Sequence, residues 1–371
     1  VILAGGGTGG HIYPAIAIAS EIKCRFPDSE ILFIGTRKGL EKELVPRNNF
    51  NLEFISAKGL ARSLRKELFF LPFYILKSLL ESRTILRKYQ PDIVVGTGGY
   101  VSLPVVLMAS LQRKKTLIQE QNSYPGISTR ILSLVASRVC LSYQDSTRYF
   151  PLKRKLRVLG NPIRKEIISG NKEEGLKKFD LNPDKKTVFI LGGSQGSRKL
   201  NQALREGISY LEQPGDIQLL WQTGSKDFEE IRDSMKGANV ASTVLPFIQD
   251  MSLAYAVADL LVCRSGALTL AEVTACGKPS ILIPYPFATA DHQRYNAMSL
   301  KEKGAAEVIL EKEIKGENLA ILIVGLLKDE NRLKEMSKNA KMLAKPMAAS
   351  QIVDEMEELL SKGKWKTEKG R

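Results

Sequence analysis

A chain of 371 residues exceeds one ordinary hydrophobic core and predicts two domains of about 150–200 residues each. At 43% apolar and 26% charged it is globular rather than disordered or collagen-like, and no run supplies the ~18 consecutive apolar residues of a membrane-crossing helix. Its 55 basic and 40 acidic residues leave a net charge of +15, which calls for an anionic partner; paired zinc ligands and aromatic RNA-binding motifs are missing, so nucleic acid is not expected.

Short β-branched apolar runs alternate with helical patterns along the chain. In order, the predicted strands are 1–4, 31–35, 52–55, 92–96, 116–119 and 138–142. After GNPIR (160–164) the pattern restarts, with strands at 187–193, 217–224, 258–266, 279–285 and 306–309. Buried strands separated by helices predict an α/β fold: two doubly wound parallel-sheet domains facing across a cleft. Pro162 holds Asn161 extended and marks the linker. The domains are therefore placed at 1–161 and 162–345, with a last helix in 346–371 packing back on the first. Val1 falls within the first strand, so no signal peptide is expected, and a few residues with the initiator Met are expected to precede this numbering. The four cysteines are scattered, without a C-x-x-C pair, and are expected to be buried thiols in a reducing compartment.

Three glycine loops follow predicted strands: AGGGTGG (4–10), GTGG (96–99) and LGGSQGS (191–197). Glycines between a strand and a helix let backbone N–H groups approach a phosphate at the positive end of the helix. The first loop formally fits the dinucleotide pattern G-x-G-x-x-G. The second strand, however, ends in Gly35-Thr36-Arg37 without the acidic residue that holds a ribose, so a dehydrogenase is disfavoured. No Gly-Lys-Ser/Thr follows any of these loops, which excludes a P-loop. One of only two histidines, His11, directly follows the first loop.

Six segments occur in order: GGGTGGHIYPAIAIA (5–19), GTGGYVSLP (96–104), QEQNSYPG (119–126), GNPIR (160–164), LGGSQGSRKLN (191–201) and AYAVADLLVCRSGALTLAE (254–272). Together they resemble the MurG family of bacterial peptidoglycan glycosyltransferases over nearly the whole chain. The resemblance implies the two-domain GT-B fold. It also implies inverting transfer of N-acetylglucosamine from UDP-N-acetylglucosamine to the 4-hydroxyl of undecaprenyl-pyrophosphoryl-MurNAc-pentapeptide (lipid I), giving lipid II at the cytoplasmic face of the inner membrane. Other cell-wall synthesis proteins are further implied partners.

By the same resemblance, the donor is held by Thr8, Gly9, Gly10, Asn122, Arg164, Ser194, Gln195, Gly196, Ile248, Ala267, Leu268, Thr269, Glu272 and Gln293. Glu272 would accept from both ribose hydroxyls, which suits a carboxylate with its two oxygens. Ile248 would flank the uracil. Ser194, the loop amides and Arg164 would hold the phosphates, and Asn122, Asp291 and Gln293 would read the sugar. Gly6, Gly7, Gly98, Gly99 and Tyr100 would meet the acceptor's pyrophosphate. His11 would be the general base, since imidazole exchanges a proton near neutral pH; its alternative role is to orient the loop. Gln119 stands where members of the family often have His. No cofactor is required: the D-x-D motif of metal-dependent sugar transferases is missing, and loop amides with Arg164 can carry the leaving-group charge.

The segment 59–88 groups aromatic and basic residues, among them Phe69, Phe70, Phe73, Arg65, Lys66 and Lys77. Pro72 interrupts it, and it is too short to span a bilayer, so it is expected to lie on anionic inner-leaflet lipids as a peripheral anchor. The rival readings are a UDP-N-acetylglucosamine 2-epimerase, a transferase acting on another lipid, and a non-catalytic membrane scaffold.

Overall fold

The computed structural model describes residues 1–58, 65–193, 195–212, 215–288 and 291–368, without the side chains of 65–71 and 362–368. It divides into two compact units, 1–164 with 345–371, and 165–344.

The first unit is built on a seven-stranded sheet in the order β3-β2-β1-β4-β5-β6-β7, parallel throughout. Its strands are β1 (Ile2–Gly5), β2 (Leu32–Gly35), β3 (Asn51–Phe54), β4 (Ile93–Gly98), β5 (Lys115–Glu120), β6 (Arg138–Leu141) and β7 (Leu156–Val158). Successive side chains alternate between faces. Leu3, Phe33, Val95 and Leu117 pack on α1 (Gly9–Arg25) and α15 (Ala348–Glu368). Ile2, Ala4, Ile34, Val94 and Ile118 pack beneath α3 (Arg65–Tyr89), α4 (Gly99–Leu111) and α5 (Ile127–Val135). Both faces are covered, which is why these strands read as continuous apolar runs.

The second unit repeats the plan with six parallel strands in the order β10-β9-β8-β11-β12-β13. These are β8 (Lys186–Leu191), β9 (Ile217–Gln222), β10 (Ala241–Leu245), β11 (Leu260–Cys263), β12 (Ser280–Leu282) and β13 (Ala306–Val308). Strand order reverses between β1 and β4 in one sheet and between β8 and β11 in the other. In such sheets ligands bind at the carboxyl ends of the strands flanking the reversal.

All eleven predicted strands are present. The two that were not anticipated, β7 and β10, are edge strands, half-buried or exposed, so neither needs a full apolar run. Cys140 and Cys263 are buried as expected, whereas Cys24 is exposed on α1. Burial pushes the Cys263 thiol up to about 12.

The last helix, α15, belongs to the first unit. Ile352, Val353, Met356 and Leu359 enter its core. Glu355 pairs with the buried Arg138 at 2.8 Å and with Arg157 at 2.9 Å, while Arg25 on α1 reaches Asp354 and Glu357. Removing one member of a buried ion pair leaves the other charge uncompensated. Glu355→Ala is therefore expected to destabilise the first unit by about 3 kcal/mol, read from its urea unfolding transition. A loss below about 0.5 kcal/mol, the level of an ordinary surface substitution, would show that the pair does not fasten the helix.

Candidate functional site

At the β1/β4 reversal two glycine loops lie backbone against backbone. A Cβ on Gly99 would sit 2.5 Å from the carbonyl oxygen of Gly6, and one on Gly5 would strike Thr97 Oγ1. Gly7, Gly98 and Gly99 have φ of +89°, +103° and +75°, a region that only glycine enters freely. The approach brings the start of α1 against the end of β4. Thr97 Oγ1 donates to the His11 carbonyl at 2.7 Å, and the His11 ring lies over Gly98, where a Cβ would come within 2.6 Å of Nδ1. Nδ1 faces the Thr97 carbonyl oxygen at 3.1 Å and Gln121 Oε1 at 2.9 Å.

Among the acceptor residues expected from sequence, Gly6, Gly7, Gly98, Gly99 and Tyr100 come together here. Tyr100 lies against Gly7, and its hydroxyl is 3.4 Å from Thr36 Oγ1. Two of their amides already have acceptors. The Gly98 N–H donates to Ser102 Oγ at 2.9 Å and the Gly7 N–H to Glu41 Oε2 at 3.0 Å. Glu41, fully buried at the start of α2 (Glu41–Arg47), also accepts from the Thr36 amide and hydroxyl. No pattern in TRKGLEKEL (36–44) separates it from an ordinary surface-helix glutamate. Thr8 is the N-cap of α1, with Gly9 and Gly10 in its first turn. Asn122 is tied to Glu120 Oε1 through its amide and its side chain. Arg164 closes the first unit, its guanidinium 5.5 Å from the Tyr13 ring on α1.

In the second unit the loop 192–197 leads from β8 into α7 (Arg198–Glu206). Gly193 and Gly196 have φ of +91° and +77°, and a Cβ on Gly196 would lie 2.0 Å from the Thr223 carbonyl oxygen. Gln195 sits in this turn; Ser194 lies outside the described residues. Sequence reasoning missed Gln222. It is buried at the end of β9, donates to the Gly193 carbonyl at 3.0 Å and accepts from the Ile248 amide at 2.8 Å. One amide side chain thus joins the loop to the segment holding Ile248, whose own side chain is in the core.

At the facing strand end, β11 runs through Arg264-Ser265-Gly266 into α11 (Ala267–Ala275), which carries Ala267, Leu268, Thr269 and Glu272. Glu272 Oε2 accepts from the Tyr255 hydroxyl at 2.8 Å. Burial, then the nearby Glu272 charge, pushes the Tyr255 phenol well up, so it remains a donor to that carboxylate. Arg264, given no role from sequence, is a second fastening: it donates to Ser197 Oγ at 2.6 Å and to the Ile283 carbonyl at 3.1 Å, and pairs with Glu311. Gln293 Oε1 accepts from the Tyr285 amide. Asp291 caps α12 (His292–Lys301) in a left-handed conformation and faces Arg294 at 3.7 Å.

The backbone of α3 includes residues 65–88 of the expected anchor segment, but residues 59–64 and the side chains of Arg65, Lys66, Phe69 and Phe70 lie outside the described residues. Phe73 is 64% exposed, with Ile75, Leu76 and Leu80 also exposed; Lys77 is held toward Glu81. An apolar stripe not anticipated from sequence lies on α5: Ile127, Ile131, Leu134 and Val135 are all exposed, at the spacing of one helix face. Its signal was the i, i+4, i+7, i+8 pattern in ISTRILSLV. Helix α4 packs between α3 and α5. No described helix is long and apolar enough to cross a membrane.

Residues 1–141 match the family model of the glycosyltransferase family 28 N-terminal domain, and residues 187–352 that of the family 28 C-terminal domain. The UDP-N-acetylglucosamine–N-acetylmuramyl-(pentapeptide) pyrophosphoryl-undecaprenol N-acetylglucosamine transferase of Thermodesulfovibrio yellowstonii is 44% identical, covering 97% of this chain and 98% of its own. The crystal structure of Acinetobacter baumannii MurG gives a TM-score of 0.77 at 31% identity, over 96% of this chain and 98% of that one. A Listeria monocytogenes protein assigned as a UDP-N-acetylglucosamine 2-epimerase gives 0.70 at 14% identity, over 95% and 94%; this likeness is one of fold alone.

The loop geometry makes Gly196→Ala strained both in φ and in its contact with Thr223, whereas a Cβ on Gly237 meets nothing within 4 Å. Gly196→Ala is expected to destabilise the second unit by about 2 kcal/mol and Gly237→Ala to leave it unchanged, measured by urea unfolding. Equal effects would mean that the loop relaxes without cost.

Proposed function

We propose that His11 is the catalytic base in a chain that belongs to glycosyltransferase family 28 and, within it, to the N-acetylmuramyl-(pentapeptide) pyrophosphoryl-undecaprenol N-acetylglucosamine transferases. The enzyme transfers N-acetylglucosamine from UDP-N-acetylglucosamine to lipid I and so makes lipid II. The observation that carries the role of His11 is its place: a ring at the β1/β4 reversal, at the start of a helix, with one nitrogen held by acceptors. As the acceptor's 4-hydroxyl attacks the anomeric carbon, the imidazole takes its proton and UDP departs from the opposite face, inverting the centre. A positioned base is worth about 10²–10⁴ in rate.

In this reading the donor lies at the β8/β11 reversal. The amides of Gly192, Gly193, Gln195 and Gly196 meet its phosphates. Glu272, held by Tyr255, takes the ribose hydroxyls, and Gln222 keeps the phosphate loop and the Ile248 backbone in register for the nucleotide. Gln293 reads the sugar. The acceptor's pyrophosphate lies at Gly6, Gly7, Gly98, Gly99 and Tyr100, where it competes with Glu41 and Ser102 for the Gly7 and Gly98 amides. A 2-epimerase shares the architecture but lacks the sequence identity.

The enzyme meets its lipid acceptor as a peripheral protein on the cytoplasmic face of the membrane, through the exposed apolar residues of α3 and α5. Each basic residue near an anionic surface adds about 1 kcal/mol, screened within a Debye length. In an assay of radiolabelled transfer to a lipid I analogue, His11→Ala is expected to lower kcat by roughly 10²–10⁴ with the donor KM unchanged. A fall below tenfold would make His11 a loop-orienting residue. For the membrane, co-sedimentation with phosphatidylglycerol vesicles is expected to be salt-sensitive and to be lost in a Leu76→Glu/Ile131→Glu variant. Equal binding to neutral vesicles, or full binding by that variant, would place the docking surface elsewhere.

A further inference from the structure

We infer that Gln121, itself oriented by Gln119 and Asn161, is a positioning residue that fixes the tautomer of His11, with the proton on Nδ1 and the lone pair on Nε2. The tautomer follows from hydrogen bonding alone; its catalytic consequence rests on His11 being the base.

The inference runs from the outer end of a buried relay inward. Gln119, Gln121 and Asn161 are 1%, 3% and 5% exposed, so each polar atom has to be satisfied within the protein. Gln119 Nε2 faces the Asn161 Oδ1 and Ser142 Oγ oxygens, both at 3.1 Å, and the Glu120 carbonyl at 3.3 Å. It has to be the donor end of the amide, which turns Gln119 Oε1 toward Gln121. Asn161 Nδ2 donates to the Gln121 carbonyl at 3.0 Å and locks the far side of the same arrangement.

Gln121 is then left no choice. Its Nε2 faces three acceptors: the Thr97 carbonyl at 2.7 Å, the Gln119 carbonyl at 3.2 Å and Gln119 Oε1. Flipping the amide would set an oxygen against all three, with no hydrogen between them. Gln121 Oε1 must therefore point at His11 Nδ1, 2.9 Å away. On its other side Nδ1 meets the Thr97 carbonyl oxygen at 3.1 Å, which can only accept. A neutral imidazole has one N–H and one bare nitrogen. A bare Nδ1 would oppose two oxygen lone pairs, so the proton sits on Nδ1. Among the described residues Nε2 has no hydrogen-bond partner, and it is the nitrogen that can receive a substrate proton. The relay also explains the Gln at position 119: an amide donates to Asn161 and accepts from Gln121 at once.

The test is a long-range ¹H–¹⁵N spectrum of the full-length protein labelled with ¹⁵N-histidine, at a pH where the ring is neutral. Only two histidines are present, and His11→Ala identifies the signals. Nδ1–H in the wild type is expected, and Nε2–H would overturn the inference. In Gln121→Met, with folding checked by thermal melting, a minor Nε2–H population and a kcat at least tenfold lower at unchanged donor KM are expected. An unchanged spectrum together with kcat within twofold would remove Gln121 from the role. If the wild-type ring is Nδ1–H while His11→Ala keeps its kcat, the base reading fails and the tautomer assignment stands.

Discussion

The structure of the first unit depends on how closely two backbone loops approach at the β1/β4 reversal. Gly6 and Gly99 are in direct main-chain contact, and Gly5 lies on the Thr97 side chain. Any larger residue would wedge the end of β1 from the end of β4 and carry α1 away with it. The contact places the first turn of α1, and so His11, over the main chain of β4. Everything beyond it in the site is a polar response to that proximity: the Thr97 hydroxyl and carbonyl, the Gln121 amide, and the Glu41 carboxylate on the neighbouring side. The glycines serve close packing as well as access for a phosphate.

The second unit solves the same problem with different side chains. Gly196 approaches the backbone at Thr223 and Gly224, so the loop after β8 is clamped to the end of β9. Gln222 and Arg264 then fasten the two strand ends that flank the β8/β11 reversal. Both are buried or nearly so, and both hold backbone carbonyls or loop hydroxyls. They set the shape of a binding surface.

What the sequence revealed follows from this division. Strands buried on both faces announce themselves as apolar runs, and a glycine loop between strand and helix is local in the chain, so the sheets and loops were legible. Glu41, Gln222 and Arg264 were not, because the partners that define them, Gly7 for Glu41, Gly193 and Ile248 for Gln222 and Ser197 for Arg264, lie far away in sequence and their neighbours resemble any helix start or strand end. Gln119 and Gln121 stand two residues apart in a visible motif, yet their meaning needs Thr97 and Asn161, which only the fold brings to them. Ile248 shows the opposite limit: resemblance put it at the nucleotide, and the structure puts its side chain in the core with its amide donating to the buried Gln222. The α5 stripe was readable by helical spacing alone and was overlooked beside the more obvious aromatic cluster of α3.

The route of the chain has a consequence for synthesis. The polypeptide leaves the first unit after Arg164 and returns at Lys345, so the second unit is an insertion within the first. Gly160 and Lys345 pack together at this junction. Until α15 arrives, the face of the first sheet that receives Ile352, Val353, Met356 and Leu359 is covered only in part, by α1. On a ribosome, where domains form as they emerge, the inserted unit can close while the first still presents an apolar surface. The half of the molecule that is translated first is therefore the one that finishes folding last.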